Sequence, residues 1–153
     1  MTRKPVPMES VASILEHDID ATIQDWIGLV GQNDELTRVP LTFEDRSFHL
    51  PTLFAELIYR LRLPPIAKAG ISTAARQHGI VRRQQGYNAA MMVEESRILQ
   101  VSIFNTLQNN LPRVDFSKVL LDVMTIADEV DSQLKQAMLS YVDPRSRAAL
   151  SAA

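Results

Sequence analysis

The fold of this chain is decided by residues 78–99, HGIVRRQQGYNAAMMVEESRIL, where one predicted helix ends and another begins. Gly86 is the expected left-handed cap of the first helix, and Asn88 is the expected N-cap of the second. Because the connection between them is so short, we expect the two helices to be antiparallel neighbours. The stretch therefore predicts a helical hairpin.

Helical periodicity runs through most of the remaining chain, which has only five glycines and little strand-like alternation. Pro51 lies inside the second helical stretch and is expected to kink or split it near Leu50. We predict an all-α protein whose five helices form a bundle with long, antiparallel last two helices. A globin-like arrangement without haem is one form that this bundle can take. The predicted helices span residues 8–30, 42–63, 66–85, 88–111 and 115–142.

The composition is that of a single folded domain, since 46% of the 153 residues are apolar. We assign residues 1–143 to a helical domain and residues 144–153 to a tail or linker. A net charge of −2 does not favour nucleic acid as a partner. The chain has no cysteine, which excludes disulfides and thiolate sites. We find no signal peptide and no apolar run long enough to span a membrane, so we expect a cytoplasmic protein.

Charged side chains of the opening stretch are expected to meet inside the bundle. His78 and Arg82 are four residues apart and share a helix face. Glu95 lies in the apolar stripe of the following helix, where an unpaired carboxylate is costly. We therefore expect it to have a partner, which Arg82, Arg97 or His78 can provide. Tyr87 is expected to be a core residue or a hydrogen-bonding lid, and burial of its ring favours the core.

Three interpretations of this group are open. The first is a structural polar clamp that sets the angle between two helices, and it is favoured because buried ion pairs commonly set register without a ligand. The second is a site that senses a small ligand or a proton, since a histidine beside a carboxylate can titrate near neutral pH. The third is a haem site with His78 as the ligand.

Other kinds of chemistry find little support in the sequence. His17 and His49 have no partner at ligand spacing, so we expect both at the surface or rim, and we predict no metal and no cofactor. The basic run at residues 76–83 is short and has no interleaved aromatic residues, which argues against nucleic acid. No catalytic triad order or phosphate-binding glycine loop is present, so we do not expect an enzyme.

The last predicted helix carries apolar residues at alternating steps of four and three, which is the spacing of a heptad seam. The seam is either the core of a single-chain bundle or an interface in a homodimer, and its regularity slightly favours the homodimer. Its residues are Phe116, Leu120, Val123, Ala127, Val130, Leu134, Ala137 and Tyr141.

The pattern H-G-x-x-R-x₃-G-Y-x₇-E-x-R-x-L, which begins at His78 and ends at Leu99, resembles the signature of a known family. This family is the RsbRD-type N-terminal domain, also called the RsbT co-antagonist N-terminal domain. The resemblance covers the layout of essentially the whole chain. The chain departs from the pattern at Ala89, where leucine is common, and at Ser96, where an aromatic residue is common.

The resemblance implies an all-helical, non-catalytic signal-input domain that acts in the cytoplasm. Similar domains precede the effector of bacterial sensor histidine kinases and of stressosome proteins, so the implied partner is a downstream kinase or regulator module. A small-molecule ligand of unknown identity is compatible with such a role. A looser likeness to sensor globins keeps haem binding at His78 as an alternative, and a purely structural dimerisation module is another.

Overall fold

The structure is a computed structural model that describes residues 2–4 and 7–143. The described residues form seven α-helices, with three short 3₁₀ turns at Leu36–Arg38, Leu111–Arg113 and Phe116–Lys118. The all-α prediction is therefore confirmed for this part of the chain, and the predicted tail 144–153 lies outside it. The helices are α1 (Val11–His17), α2 (Ile19–Gly31), α3 (Phe43–Ser47), α4 (Leu50–Leu61), α5 (Thr73–Gln84), α6 (Ala89–Asn109) and α7 (Val119–Val142).

The first two predicted helices are each divided into two. Asp18 has non-helical torsions and separates α1 from α2, which the prediction of one helix over residues 8–30 missed. Its carboxylate accepts a hydrogen bond from the distant Asn110 side chain at 2.8 Å. The second division was expected, because Pro51 lies in the first turn of α4, where its missing N–H is tolerated.

Two helix starts differ from the prediction. α5 begins at Thr73 rather than near residue 66, because the Ser72 hydroxyl caps it by accepting from the Ala75 N–H at 3.0 Å. Asp115 caps a 3₁₀ turn, so α7 begins four residues later than predicted. The local signals of the opening stretch are confirmed. Gly86 has a φ of 99°, and the Asn88 side chain caps α6.

α5 packs mainly against α7 and makes few contacts with α6, so the expected side-by-side hairpin is wrong. The reason is a close backbone approach at Gly79, where an added Cβ would lie 1.9 Å from the carbonyl oxygen of Ala137. A hydrogen bond from Arg83 to the Tyr141 carbonyl, 3.2 Å long, continues this contact. Only glycine fits at this crossing, and it brings the site in α5 directly onto α7.

The core lies where α1, α2, α4, α6 and α7 meet. Trp26 of α2 is fully buried there, and its indole N–H donates to the carbonyl of Glu95 at 3.3 Å. This bond connects the apolar core to the charged group predicted from the opening stretch. None of the described helices has both the length and the apolar character needed to cross a membrane.

Candidate functional site

The candidate site is a buried ionic cluster centred on Glu95 of α6, which we call the Glu95 cluster. The Glu95 side chain is only 4% exposed, and its Oε1 accepts from Arg82 Nε at 3.0 Å. His78 Nε2 lies 3.1 Å from the same oxygen. The structure thus brings His78, Arg82 and Glu95 together, as the sequence predicted.

Arg82 connects this cluster to α3. Its side chain is 1% exposed, and its two terminal nitrogens donate to the backbone carbonyls of Asp45 and Arg46. These carbonyls lie at the C-terminal end of α3, where the helix dipole favours a cation. Gln85 accepts a further bond at 2.7 Å. One guanidinium group therefore joins three chain segments, α3, α5 and α6.

Tyr87 lies against the cluster and connects it to the end of α7. The Arg82 guanidinium carbon lies 4.9 Å from the centre of the Tyr87 ring, which is a cation–π distance. The Tyr87 hydroxyl accepts from Arg46 at 2.9 Å, and its backbone carbonyl accepts from the Tyr141 hydroxyl at 2.6 Å. Burial, with the nearby Glu95 carboxylate, raises the pKa of Tyr87, so its phenol stays protonated.

His49 belongs to the site, and its predicted place at the surface is wrong. Its side chain is 8% exposed, and its Nε2 lies 3.9 Å from Glu95 Oε1. Its ring stacks on His78 with the ring centres 3.6 Å apart, and it contacts Trp26 edge-on. The available signal was Pro51, because the break before this residue is what places His49 between α3 and α4. His17, by contrast, is exposed as expected.

The protonation states follow from burial and from the neighbours of each group. Burial lowers the pKa of His49 well below its usual value, with the charge of Arg82 contributing. Burial also lowers the pKa of His78, more than the Glu95 carboxylate raises it. Burial by itself raises the pKa of Glu95, but bonding to His78 and Arg82 outweighs it, so this pKa is lowered. At neutral pH the cluster therefore contains two neutral imidazoles and one ion pair, between Arg82 and Glu95.

A small cavity adjoins the cluster. It has a volume of about 30 Å³ and is lined by polar groups of His49, His78 and Glu95 and by apolar groups that include Val130 and Ala137. Glu95 Oε2 is buried and has no hydrogen-bond partner among the described residues. A second pocket of about 280 Å³, lined also by exposed Phe48, touches both histidines. The cluster is therefore reachable from outside and has one unused buried acceptor.

Arg97 lies apart from the site. It is exposed and donates to Glu94, its neighbour on the same helix, at 2.7 and 2.9 Å. The sequence made Arg97 one of three possible partners for Glu95, but the structure pairs Glu95 with the other two, Arg82 and His78. Two residues correspond to about 200° around an α-helix, so Arg97 faces away from the buried stripe that carries Glu95.

The predicted heptad seam of α7 is divided between core and surface. Val130, Ala137 and Tyr141 are buried within the single chain, so this half serves as internal core. Phe116 and Leu120 are exposed, Leu120 by 71%, while the other seam residues are partly buried. The exposed half widens into an apolar patch. We call Phe116, Leu120, Leu121 and Met124 the α7 patch.

Comparisons with family models, with curated proteins and with solved structures each returned no match to this chain. The resemblance to the RsbRD-type N-terminal domain therefore stays a prediction from the motif.

Proposed function

We propose that this chain is a signal-input domain whose state is set at the Glu95 cluster and read out through α7. The observation that carries the proposal is the shared Glu95 carboxylate, which one arginine and two histidines from α3–α4 and α5 approach inside the core. Such a group holds several chain segments in one arrangement as long as its charges stay balanced. We propose a binding and signalling role rather than catalysis.

The route from the cluster to α7 has two contacts. The first is the backbone contact of Gly79 with Ala137, which is too close to admit even a Cβ between the two helices. The second is the bond from the Tyr141 hydroxyl to the Tyr87 carbonyl. A change at the cluster that shifts α5 therefore shifts α7 too. Signalling requires that this pair of helices has two discrete arrangements, which a stimulus populates differently.

A hydrogen-exchange experiment tests this coupling. The variant His78→Gln removes the imidazole beside Glu95, and Arg97→Ala is the control because Arg97 is exposed and its described bonds go to Glu94. We expect faster amide exchange in the part of α7 from Ile126 to Tyr141 for His78→Gln and no change for Arg97→Ala. Faster exchange confined to α5 and α6 would contradict the proposal.

We further propose that two copies of the chain associate through the α7 patch in the cytoplasm. Phe116 and Leu120 of the patch continue the heptad spacing of the buried half of α7, and an exposed seam of this spacing is suited to pairing with a second copy of the same helix. As the resemblance implies, the effector would be a histidine kinase or stressosome-type regulator module. The globin-like arrangement of the helices is likewise a proposal.

Sedimentation velocity tests the dimer. We expect a dimer for the wild type, a monomer for Leu120→Glu and a dimer for the control Phe48→Glu. Phe48 is also apolar and exposed but lies outside the α7 patch. A wild type that is monomeric at micromolar concentration would overturn this part of the proposal.

A purely structural dimerisation module is the second candidate. The hydrogen bonding of Arg82 favours it: the guanidinium already donates to four acceptors, so the cluster is stable without a ligand. This candidate predicts no change in α7 when His78 is replaced. A haem sensor is less favoured, because His78 Nε2 faces Glu95 at 3.1 Å rather than an open haem-sized space.

A further inference from the structure

We propose that His49, His78 and Glu95 form a binding site for a divalent transition-metal ion of the zinc class. Their potential ligand atoms all lie within 4.8 Å of one another. Ligands bound at about 2.0–2.1 Å to a tetrahedral ion lie roughly 3.3 Å apart. Glu95 Oε1 is 3.1 Å from His78 Nε2 and 3.9 Å from His49 Nε2, and these values bracket that separation.

The chemical types of the three ligand groups indicate which metal would bind. Two imidazoles and one carboxylate are typical ligands of Zn²⁺ and of neighbouring divalent metals, whereas Ca²⁺ and Mg²⁺ prefer sites made only of oxygen. The three donors come from the α3–α4 break, from α5 and from α6. A bound ion would therefore join the α3–α4 break to the two helices of the opening stretch.

The second observation is the free oxygen of Glu95. Oε1 accepts from Arg82, while the buried Oε2 has no hydrogen-bond partner among the described residues. An ion held between the two imidazoles and Oε1 can thus also bind Oε2, which no described hydrogen bond occupies, while Arg82 keeps its bond to Oε1. An outer partner of this kind orients a metal-binding carboxylate.

The surroundings provide space and access. The cavity of about 30 Å³ beside the three side chains is large enough for at least one water molecule, which would be the fourth ligand of a three-residue site. The surface pocket that touches both histidines is an entry path. Binding requires one imidazole to rotate out of the stack, and the χ2 torsion of histidine is broad enough for this.

Arg82 limits the affinity. Its positive charge bonds to the carboxylate that the metal would use, so the ion and the guanidinium repel each other across Glu95. We therefore expect micromolar rather than nanomolar binding of Zn²⁺. The metal site goes beyond the proposed function, because an ion can bind here whether or not α7 responds.

The test is titration of the untagged chain with Zn²⁺ by calorimetry and with Co²⁺ by visible absorption. We expect one ion per chain and the spectrum of low-coordinate Co²⁺. His49→Phe keeps the aromatic ring beside Trp26 but removes the donor nitrogen, and should weaken binding by more than about 100-fold. His17→Phe removes an exposed histidine outside the site and should bind like the wild type.

Three results would overturn the metal site: no binding by the wild type, equal affinity in His49→Phe, or loss of binding in His17→Phe. The Co²⁺ spectrum of the wild type decides the question by itself if His49→Phe does not fold, because octahedral Co²⁺ on surface carboxylates absorbs far more weakly. Hydrogen exchange of α7 with and without Zn²⁺ separates the two proposals. Zn²⁺ binding without a change in α7 supports the metal site and contradicts the idea that the metal is the stimulus that α7 transmits.

Discussion

Two buried arginine–carboxylate clusters among the described residues differ in how completely water is excluded. In the Glu95 cluster the arginine is 1% exposed and the carboxylate 4%. In the second, which we call the Arg60 cluster, Arg60 of α4 donates to Glu129 and Asp128 of α7, with a distance of 2.9 Å to Glu129 Oε2. Asp128 is 65% exposed, so solvent shares the charge of this cluster.

The pKa values of the two carboxyl groups differ in direction. Burial raises the pKa of both, but in Glu95 the bonding to His78 and Arg82 outweighs it, and the pKa is lowered. In Glu129 burial exceeds the effect of Arg60, which also bonds to Asp128, and the charge of Glu56 adds repulsion, so the pKa is raised. The comparison teaches that the neighbours of a buried carboxylate, and not burial alone, set the direction of its pKa shift: Arg82 and His78 lower the pKa of Glu95, whereas Glu129 shares Arg60 with Asp128 and lies near the charge of Glu56.

Of these variants, Glu95→Ala should lower the free energy of unfolding most, which would sharpen the difference between the two clusters. It leaves the Arg82 guanidinium buried without its carboxylate, and we expect the free energy of unfolding to fall by about 3–5 kcal/mol. Urea denaturation followed by circular dichroism measures this change. Glu94→Ala is the matched control on the same helix. It loses an ion pair with exposed Arg97 and a bond from Asn33 but leaves no charge buried, so it should lose far less. Equal losses would mean that the Glu95 cluster stabilises the fold no more than the surface pair does.

Gly79→Ala should have the next largest effect on stability. It forces α5 away from α7 and leaves the charged groups of both clusters unchanged. The new Cβ would meet the Ala137 carbonyl at 1.9 Å, and we expect a loss of about 1–3 kcal/mol, or more if the helices cannot shift. Thermal unfolding measures it. Gly28→Ala in α2 has open space around the added Cβ and should be neutral or stabilising. A neutral Gly79→Ala would show that α5 is free to move away from α7.

Glu129→Gln should have a smaller effect that depends on pH. A carboxyl group with a raised pKa binds more protons in the folded state than in the unfolded state between the two pKa values. In this window the stability of the wild type falls as pH rises. We therefore expect the wild type to gain stability relative to Glu129→Gln as pH is lowered from 7 toward 4.5. Denaturant midpoints of both proteins across this range test the sign, and a constant difference would show that Glu129 is not shifted.

Arg97→Ala should have the smallest effect, although Arg97 belongs to the motif that carries the family resemblance. Its only described bonds go to Glu94, which lies three residues earlier on the same helix. We expect no measurable change in the midpoint of urea unfolding or in α7 exchange. A clear loss of stability would indicate that Arg97 contacts a partner, such as a second copy of the chain, under the conditions of the measurement.

Much of the site could be predicted, because its central pair is close in the sequence. Arg82 and Glu95 are separated by one turn and two short helix segments, and the apolar stripe around Glu95 required a cationic partner. His49 could not be found in this way. It is 29 residues before His78 in the chain, and only the fold of α4 against α5 places the two rings in contact.

The seam of α7 shows a similar limit to what can be predicted from the sequence. Its apolar spacing predicted a buried face correctly, but the same spacing is compatible with packing inside the chain and with packing between chains. The structure uses α5 to cover the half around Ala137 and leaves the half around Leu120 exposed. Periodicity describes one helix, whereas burial depends on which other helices reach it.

The sequence by itself determined the all-α class, the break before Pro51, the turn at Gly86 and the cap at Asn88. These features depend on torsion preferences and hydrogen bonds within a few residues. Only the tertiary structure decided that α5 crosses α7 at Gly79 and that His49 joins the Glu95 cluster. Such contacts depend on the packing of surfaces from distant parts of the chain, and no local preference encodes them.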